Sequence, residues 1–267
     1  MTVFLSVNCP ACGGSHAVSK HKGVPVRDAH DAVCGTTDIV ECKTCGSAYL
    51  KQRLSDDALD AFYQSNLLMN WFENDYRRIA NRHRKQLAQY VSILGQFRRR
   101  LVAQRALDFG CGGGGAAATM RDLGYSVIAY DTSAVSRKLA LELNGVRAVD
   151  SLAGVSPGSF DAVTLLDVIE HVSDPAGLLQ YLSTLMAPES HILVVTPNYG
   201  HILRHLRGVK WSGYDTRAHL VYFTANSLRT LLERVGLRVR YCGTWGIMSR
   251  WMPFPGGQAL TVVAEKV

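Results

Sequence analysis

Short apolar runs alternate with longer stretches in which apolar residues recur every three or four positions, from residue 105 to the end of the chain. The short runs predict β-strands and the longer stretches predict α-helices. Such an alternation is typical of a mostly parallel sheet with helices on both faces. The predicted strands are residues 105–109, 126–131, 146–149, 161–166, 191–196, 237–242 and 259–265.

Capping residues mark where several predicted helices begin and end. Ser133, Asp174 and Thr224 each stand directly before a helical stretch, where a side-chain oxygen can accept a hydrogen bond from a free N–H group. Pro175 suits the first position of its helix because its missing N–H would have no partner there, and Gly236 suits a helix end. These signals support one α/β unit over residues 105–267.

The preceding stretch, residues 51–104, is predicted to be helical and basic. Its apolar residues recur at near-helical spacing, and its basic residues occupy the other faces. Because the stretch contains no proline, one long helix and two shorter helices broken near Gly95 are both open.

A glycine-rich turn follows the first predicted strand. Glycine is used where the backbone takes positive φ or where a ligand approaches it closely. Gly110, Gly112 and Gly115 match the turn of dinucleotide-binding proteins, whereas Gly110, Gly112 and Gly114 after Asp108 match a second cofactor class. The carboxylate of Asp108 would repel a pyrophosphate, but it suits the ammonium and sulfonium groups of S-adenosylmethionine.

Acidic residues stand at the ends of four successive predicted strands: Asp108, Asp131, Asp150 and Asp167. Asp131 follows Asp108 by 23 residues, which is where a ribose-binding acid falls in both cofactor classes. Ligands of such sheets bind beyond the carboxyl ends of the strands. The four acids therefore predict a shared polar ligand at this edge.

With these residues in place, the chain resembles the class I S-adenosylmethionine-dependent methyltransferases over residues 100–267. The resemblance is carried by Asp108 with its glycine turn, by Asp131, and by residues 160–172. It implies an α/β Rossmann-like fold whose seven-stranded sheet has helices on both faces and an antiparallel last strand. The cofactor-binding residues that it implies are Asp108, Gly110, Gly112, Gly114, Asp131, Thr132, Asp150, Leu166 and Asp167.

The same resemblance implies a lid and an acceptor pocket. Segments before the glycine turn often cover the ligands in this family, so Tyr63, Tyr76 and Arg82 are lid candidates; packing of the aromatic residues on the sheet is the alternative. An irregular insert, residues 199–220, is expected to form the acceptor pocket. Its candidate residues are Arg204, Arg207, Trp211, Tyr214, Arg217 and His219.

His171 is the candidate catalytic base. Methyl transfer needs an acceptor held near the activated methyl group and often a base for its proton. His171 lies just past the fourth predicted strand and titrates in a useful range, and Asp167 and Glu170 are candidates to orient it. The alternative is that His171 only holds the loop at the start of the next helix.

The run Asp167-Val168-Ile169-Glu170-His171 also resembles an acid-x-x-Glu-His run of the ubiquinone-biosynthesis O-methyltransferases and the small-RNA 2′-O-methyltransferases. In those families these residues and a later histidine can bind a divalent metal, which implies Mg²⁺ or Mn²⁺ with His219 or His205 here. The departure is Asp167, which is shorter than the usual Glu.

Two C-x-x-C pairs lie in residues 1–50. Cys9 with Cys12 and Cys42 with Cys45 have the spacing of a tetrahedral Cys₄ zinc site in a zinc-ribbon-like module. The segment has few large apolar residues, so a structural metal is physically sensible. The alternatives are a site that has lost its metal and simply buried thiols. The remaining cysteines, without partner spacing, are Cys34, Cys111 and Cys242.

The net charge of +7 is concentrated in one segment. Nine Lys and Arg residues and no acid lie between Arg77 and Arg105, which indicates either an anionic partner or a solvated helix face. No apolar run approaches the ~18 residues of a membrane span. The first ten residues lack a signal-peptide pattern, so a cytoplasmic location is expected.

The sequence therefore predicts an S-adenosylmethionine-dependent methyltransferase, with O-methylation of a small molecule or of a glycan or secondary-metabolite precursor. One alternative is an RNA methyltransferase, favoured by the zinc ribbon and the basic segment, although no N/D-P-P-Y/F motif for flipped bases is present. A non-catalytic binding module is opposed by the intact glycine turn and Asp131. An NAD-dependent oxidoreductase is opposed by Asp108.

Overall fold

The computed structural model of the protein describes residues 4–27, 32–63, 77–97, 104–211, 213–216, 218–245 and 257–267. Three sheets and seven α-helices lie in these ranges. The strands are β1 Phe4–Ser6, β2 Ala17–Arg27, β3 Val33–Cys42, β4 Ala48–Leu50, β5 Gln52–Leu54, β6 Gln104–Phe109, β7 Tyr125–Tyr130, β8 Ala148–Val149, β9 Phe160–Leu166, β10 Met186–Pro197, β11 Val221–Tyr222, β12 Leu237–Trp245 and β13 Ala259–Lys266. The helices are α1 Asp56–Tyr63, α2 Arg77–Gly95, α3 Gly115–Asp122, α4 Ala134–Asn144, α5 Pro175–Leu185, α6 Leu203–Arg207 and α7 Ala225–Arg234.

The central sheet has seven strands in the order β12-β13-β10-β9-β6-β7-β8. Strands β8, β7, β6, β9 and β10 run parallel, whereas β13 is antiparallel to both β10 and β12. The predicted α/β architecture and its antiparallel last strand are confirmed. After β6, β7 and β8 have been laid down on one side, the chain returns to the other side of β6 to form β9. Because β6, β7 and β9 are parallel, their carboxyl ends lie at the same edge of the sheet.

The predicted helix starts follow from local hydrogen bonding. The Ser133 hydroxyl accepts a hydrogen bond from the N–H of Ser136, and the Asp174 carboxylate accepts one from Gly177, with Pro175 at the start of α5. Thr224 forms a capping box with Ser227 at the start of α7. Strand β10 is longer than predicted because it already pairs with β9 at Met186, and a register shift separates this pair from the ladder that resumes at His191.

A second sheet joins the N-terminal segment to the insert, in the order β11-β4-β3-β2. The antiparallel pairing of Tyr49 with Val221 makes β11 a strand of this sheet although Val221 lies 172 residues after Tyr49 in the chain. The module boundary at residue 50 stays a prediction. The second sheet includes β11, which lies on the far side of that boundary. The short strands β1 and β5 pair separately.

Helix α2 packs one face against the central unit. Leu87, Tyr90, Val91 and Leu94 are buried with residues of β6, α3 and β10. The helix ends at Gly95, which is the break that the sequence left open. No helix in the described ranges is both long enough and apolar enough to cross a membrane.

The polar face of α2 forms ion pairs with the central unit at two places. Arg77 forms an ion pair with Glu142 of α4, and the Arg84 guanidinium lies 3.1 Å from the Asp122 carboxylate of α3. These pairs hold α2 against helices of the central unit. Part of the basic charge predicted from the sequence is therefore compensated within the chain.

Candidate functional site

The glycine turn between β6 and α3 has the backbone that the sequence predicts. Gly110, Gly112 and Gly114 all have positive φ, at 71°, 51° and 75°. A Cβ on Gly110 would lie 2.5 Å from Val168 Cγ2, and a Cβ on Gly112 would meet no protein atom within 4 Å. The turn is thus packed tightly on one side and open on the other.

Asp108 lies within β6, and its carboxylate is turned into the protein. Only 2% of the residue is exposed, and the carboxylate accepts hydrogen bonds from the Ala117 N–H at 2.9 Å and the Thr164 hydroxyl at 2.7 Å. Burial raises the pKa of Asp108 to about 6. These hydrogen bonds tie Asp108 to the start of α3 and to β9, and its contact with the cofactor stays a prediction.

Asp131 follows β7 and is half-buried. Its two carboxylate oxygens accept hydrogen bonds from the N–H groups of Gly112, at 2.9 Å, and Ser133, at 2.8 Å. Partial burial raises the pKa of Asp131. Each oxygen keeps a second lone pair, so the carboxylate can also accept hydrogen bonds from ligand hydroxyls.

Asp150 and Thr132 are exposed beside this acid. Arg137 joins the two loops because its guanidinium donates to the carbonyl oxygens of Asp131 and Thr132, both at 2.9 Å, and lies 3.4 Å from the Asp150 carboxylate. The sequence did not single out Arg137. Its position one helical turn after the Ser133 cap is the signal that points to it.

Asp167 follows β9 in a backbone conformation that is uncommon for a residue with a side chain, with φ at 52°. Its N–H donates to the Val195 carbonyl oxygen, and its side chain keeps access to solvent while neighbouring Leu166 is buried. Surrounding protein atoms raise the pKa of Asp167 to about 6. Backbone strain of this kind concentrates at functional sites, which favours the predicted role of Asp167.

Glu170, His171 and His219 come together directly after β9. One ligand atom from each, a carboxylate oxygen or a ring nitrogen, lies within 4.8 Å of the other two. The Nδ1–H of His171 donates to the Ala218 carbonyl oxygen at 3.0 Å, and that of His219 donates to the Gly213 carbonyl oxygen at 3.0 Å. In the neutral form of either ring, the lone pair therefore lies on Nε2.

Glu170 is the buried member of this cluster, and only 1% of it is exposed. Its Oε2 accepts a hydrogen bond from the Thr196 hydroxyl at 2.9 Å, whereas Oε1 is buried without a hydrogen-bond partner. Burial raises the pKa of Glu170, and burial together with His219 lowers the pKa of His171 to about 3. The cluster thus combines an unsatisfied carboxylate oxygen with the neutral imidazole of His171, and His205 is not part of it.

The insert packs most of its aromatic residues inward. Trp211 and Tyr214 are buried and contact Tyr199, whose ring also stacks under the Arg204 guanidinium at 3.9 Å. Tyr214 also contacts His21 of β2 edge-to-face. This differs from the expected pocket lining, because these side chains fill the contact between the insert and the N-terminal sheet.

The lid candidates are placed unequally. Tyr63 of α1 lies 6.1 Å from the His171 ring and donates a hydrogen bond to the Ala218 carbonyl oxygen at 3.3 Å. Tyr76 and the side chain of Arg82 lie outside the described residues, as does Arg217 of the insert. Arg207 is exposed.

The four predicted zinc ligands converge. Cys9 and Cys45 have Sγ atoms 3.6 Å apart, those of Cys12 and Cys42 are 3.5 Å apart, and all four lie within 4.8 Å of one another. Zn–S bonds of about 2.3 Å in a tetrahedron need sulfurs about 3.8 Å apart. The set therefore fits a tetrahedral metal with little adjustment.

Features around the cysteines also suit a metal. Gly13 and Gly46, each directly after a pair, have φ of 78° and 76°, and their N–H groups donate to the carbonyl oxygens of Cys9 and Cys42. The Ser47 hydroxyl lies 3.1 Å from the sulfurs of Cys9 and Cys45. Hydrogen bonding, chiefly from Cys9, lowers the pKa of Cys45 to about 5.

A methyltransferase-domain family matches residues 56–241 of this chain. A ubiquinone biosynthesis O-methyltransferase of Xanthomonas euvesicatoria is 36% identical over 119 residues, which cover 41% of this chain and 48% of that protein. One of Cupriavidus pinatubonensis is 32% identical over 146 residues, covering 50% and 56%. The chain thus spans about half the length of the curated relatives it matches.

Solved structures show the same fold. A SAM-dependent methyltransferase of Archaeoglobus fulgidus superposes with a TM-score of 0.56 at 18% identity, over 73% of this chain and 98% of that one. At this identity the likeness concerns the arrangement of helices and strands alone.

Proposed function

Because this chain belongs to the methyltransferase-domain family, as a class I S-adenosylmethionine-dependent methyltransferase, we propose that it methylates a hydroxyl oxygen of a small acceptor. The convergence of Glu170, His171 and His219 at the end of β9 carries this proposal. The O-methyltransferase relatives support the choice of oxygen as the methylated atom. The acceptor class is a hydroxylated small molecule or a glycan or secondary-metabolite precursor.

The cofactor is S-adenosylmethionine, and the proposed binding residues surround the open side of the glycine turn. Gly112 leaves free space where a ligand can approach the backbone, and the Asp131 carboxylate beside it suits the ribose hydroxyls. Asp150, Thr132, Leu166 and Asp167 remain proposed neighbours of the ligand.

Methyl transfer to oxygen forms a carbon–oxygen bond, breaks the carbon–sulfur bond and releases a proton from the acceptor hydroxyl. In the proposed mechanism, Nε2 of His171 accepts that proton, because Nδ1–H is held by the Ala218 carbonyl oxygen. His219 lies 4.7 Å away, ring to ring, and Glu170 Oε1 lies 3.9 Å from His171 Nε2, where an ionised carboxylate would offset the burial that disfavours a protonated imidazole. Asp167 and Glu170 act as positioning groups.

A divalent cation is the second candidate at the same atoms. Imidazoles that donate Nδ1–H to backbone carbonyls are arranged as metal-ligating histidines usually are, and the unpartnered Glu170 Oε1 is an oxygen that Mg²⁺ or Mn²⁺ would satisfy. A bound cation would lower the pKa of an acceptor hydroxyl beside it. In that case the ligands are Glu170, His171 and His219.

The RNA alternative receives less support. Of the two features that favour it, the zinc ribbon and the basic segment, the second is weakened because Arg77 and Arg84 of α2 are paired with acids of the same chain. We further propose that Cys9, Cys12, Cys42 and Cys45 hold a structural zinc ion, since their sulfurs already have near-tetrahedral spacing.

The test is transfer of a labelled methyl group from S-adenosylmethionine to panels of phenols, catechols, hydroxylated sugars and amines. It is run with a chelator and again with added Mg²⁺ or Mn²⁺. The variants are His171→Ala, His219→Ala and Glu170→Gln, with His205→Ala as the matched control because it lies in the same insert outside the cluster. Titration with S-adenosylhomocysteine checks that each variant keeps its cofactor site.

Loss of a general base lowers the rate by about 10²–10⁴-fold. If His171 is the base, His171→Ala shows this loss, the other two variants lose less, and the chelator has no effect. If the cluster binds a cation, all three lose activity together and the chelator abolishes it. Methylation of amines alone, or full activity in His171→Ala, would contradict the proposal.

A further inference from the structure

The segment between Tyr199 and Trp211 exposes an unusual set of apolar side chains. Ile202, Leu206 and Val209 are 64%, 80% and 55% exposed, and Leu206 is the most exposed large apolar residue in the described ranges. The other exposed apolar residues of those ranges are scattered through the chain. Clustered exposed apolar residues mark interaction surfaces, whereas single ones are ordinary.

The segment is held in place from inside. Tyr199 and Trp211, at its two ends, are 1% and 4% exposed, and their rings contact each other. The Arg204 guanidinium stacks on Tyr199 and donates to its carbonyl oxygen at 2.7 Å. The exposed apolar residues thus lie on and around helix α6, and the buried rings of Tyr199 and Trp211 anchor the two ends of the segment.

The charged side chains of this segment are all basic. His205, Arg207 and Lys210 are exposed between and beside the apolar residues, and no acid occurs from His201 to Tyr214. The aromatic residues of the segment point inward, so aliphatic side chains and long basic ones face outward. Protein interfaces instead enrich aromatic residues at their centre.

We propose that this patch, formed by Ile202, Leu206 and Val209 with Arg207 and Lys210, docks the enzyme on an anionic phospholipid surface. Aliphatic side chains enter the boundary between headgroups and acyl chains, and Arg and Lys bind the anionic headgroups. The long stems of Arg207 and Lys210 allow both kinds of contact at once. The docking is peripheral, and it does not depend on which acceptor is methylated.

The test uses the full-length protein and flotation with vesicles of phosphatidylcholine alone or with about one third phosphatidylglycerol. Two variants address the two parts of the patch: Leu206→Gln with Val209→Gln, and Arg207→Gln with Lys210→Gln. The control combines Leu141→Gln and Arg147→Gln, which removes an exposed apolar and an exposed basic residue from the region of α4. S-adenosylhomocysteine titration and thermal melting check that all variants are folded.

We expect binding to the anionic vesicles to exceed binding to the neutral ones by about tenfold at low salt and to weaken as salt rises. Each patch variant should lose about fivefold or more, and the control should stay within about twofold of the parent. No vesicle binding by the parent protein, or unchanged binding by the Leu206 variant, would overturn the proposal. So would sedimentation showing that the patch instead joins two copies of the chain and that the Leu206 variant separates them.

Discussion

At the scale of single residues, Asp108 and Asp131 use the same functional group for different purposes. Both carboxylate oxygens of Asp108 accept hydrogen bonds inside the protein, from Ala117 and Thr164. The carboxylate of Asp131 accepts one from the Gly112 N–H and is only half-buried. Both were predicted as acids at strand ends. The two acids differ in how deeply they are buried, and the sequence pattern does not reveal this difference.

The buried Asp108 predicts a specific pH dependence of stability. Its pKa rises from 3.8 in the unfolded chain to about 6 in the folded one, so the folded state binds the proton more tightly. The stabilisation that this provides is complete below about pH 4 and is lost as pH rises through about 6. The loss amounts to about 3 kcal/mol of unfolding free energy.

Asp108→Asn removes the titrating group and keeps an oxygen for the Ala117 N–H. The unfolding free energy of this variant relative to the parent should therefore rise by up to about 3 kcal/mol between pH 4 and 7. Urea unfolding at several pH values measures it. A difference that stays constant over this pH range would refute the burial argument.

At the scale of elements, the strand–turn–helix unit from β6 to α3 has two unlike sides. Gly110 faces Val168 of the loop that carries Asp167 and Glu170, so the turn and that loop pack against each other. Gly112 faces open space. The first glycine thus serves the fold, and the second leaves room for a ligand.

The pair Gly110→Ala and Gly112→Ala should separate stability from binding. Both place a methyl group at positive φ, which costs about 1–2 kcal/mol. Gly110→Ala adds a contact at 2.5 Å and should lower the unfolding free energy by more than about 2 kcal/mol. Gly112→Ala should lower the unfolding free energy by only the ~1–2 kcal/mol that positive φ costs. It should weaken S-adenosylhomocysteine binding by about tenfold or more.

Chemical denaturation and calorimetric titration of both variants provide the two readouts. Equal losses of stability would show that the contact with Val168 relaxes easily. Unchanged affinity in Gly112→Ala would show that the ligand does not occupy the open side of the turn.

The sequence predicted the elements well because their signals are local. The positions of the strands after residue 104, the caps at Ser133, Asp174 and Thr224, and the glycine turn all depend on residues close together in the chain. The inward turn of Trp211 and Tyr214 was not predictable, because it depends on contacts with β2 and β4. The choice of His219 over His205 likewise depends on the fold of the insert, which no periodicity describes.

At the scale of the whole molecule, the N-terminal sheet and the candidate site share one residue. Leu220 accepts a hydrogen bond from the Leu50 N–H at 3.1 Å and donates its own N–H to the Glu170 carbonyl oxygen at 2.7 Å. Its predecessor is His219. Asn226, near the start of α7, also donates to the Cys45 carbonyl oxygen at 3.2 Å. Hydrogen bonds therefore connect the sheet that carries the cysteines to the Glu170–His171–His219 cluster through Leu220.

This connection predicts that removing the proposed zinc ion makes local unfolding easier around His219 and Leu220. The cofactor-binding part of the site should keep its stability. A zinc-dependent module contributes folding free energy only when its metal is bound. After chelation, or in Cys42→Ser, amide hydrogen exchange over residues 218–222 should accelerate by about tenfold or more, since local opening there no longer breaks a sheet anchored by the metal. Exchange in β6 and S-adenosylhomocysteine affinity should change by less than about twofold, because β6 pairs only with β7 and β9.

Cys34→Ser is the matched control, since Cys34 lies on β3 but outside the four-cysteine cluster. It should keep both its zinc content, measured by a colorimetric metal assay, and the slow exchange of residues 218–222. Slow exchange there after complete zinc removal would show that packing of Tyr49, Tyr214 and Tyr222 holds this sheet without the metal. Faster exchange throughout β6 as well would show that the module and the methyltransferase core unfold as one unit, so that the metal stabilises the whole enzyme and not one wall of its site.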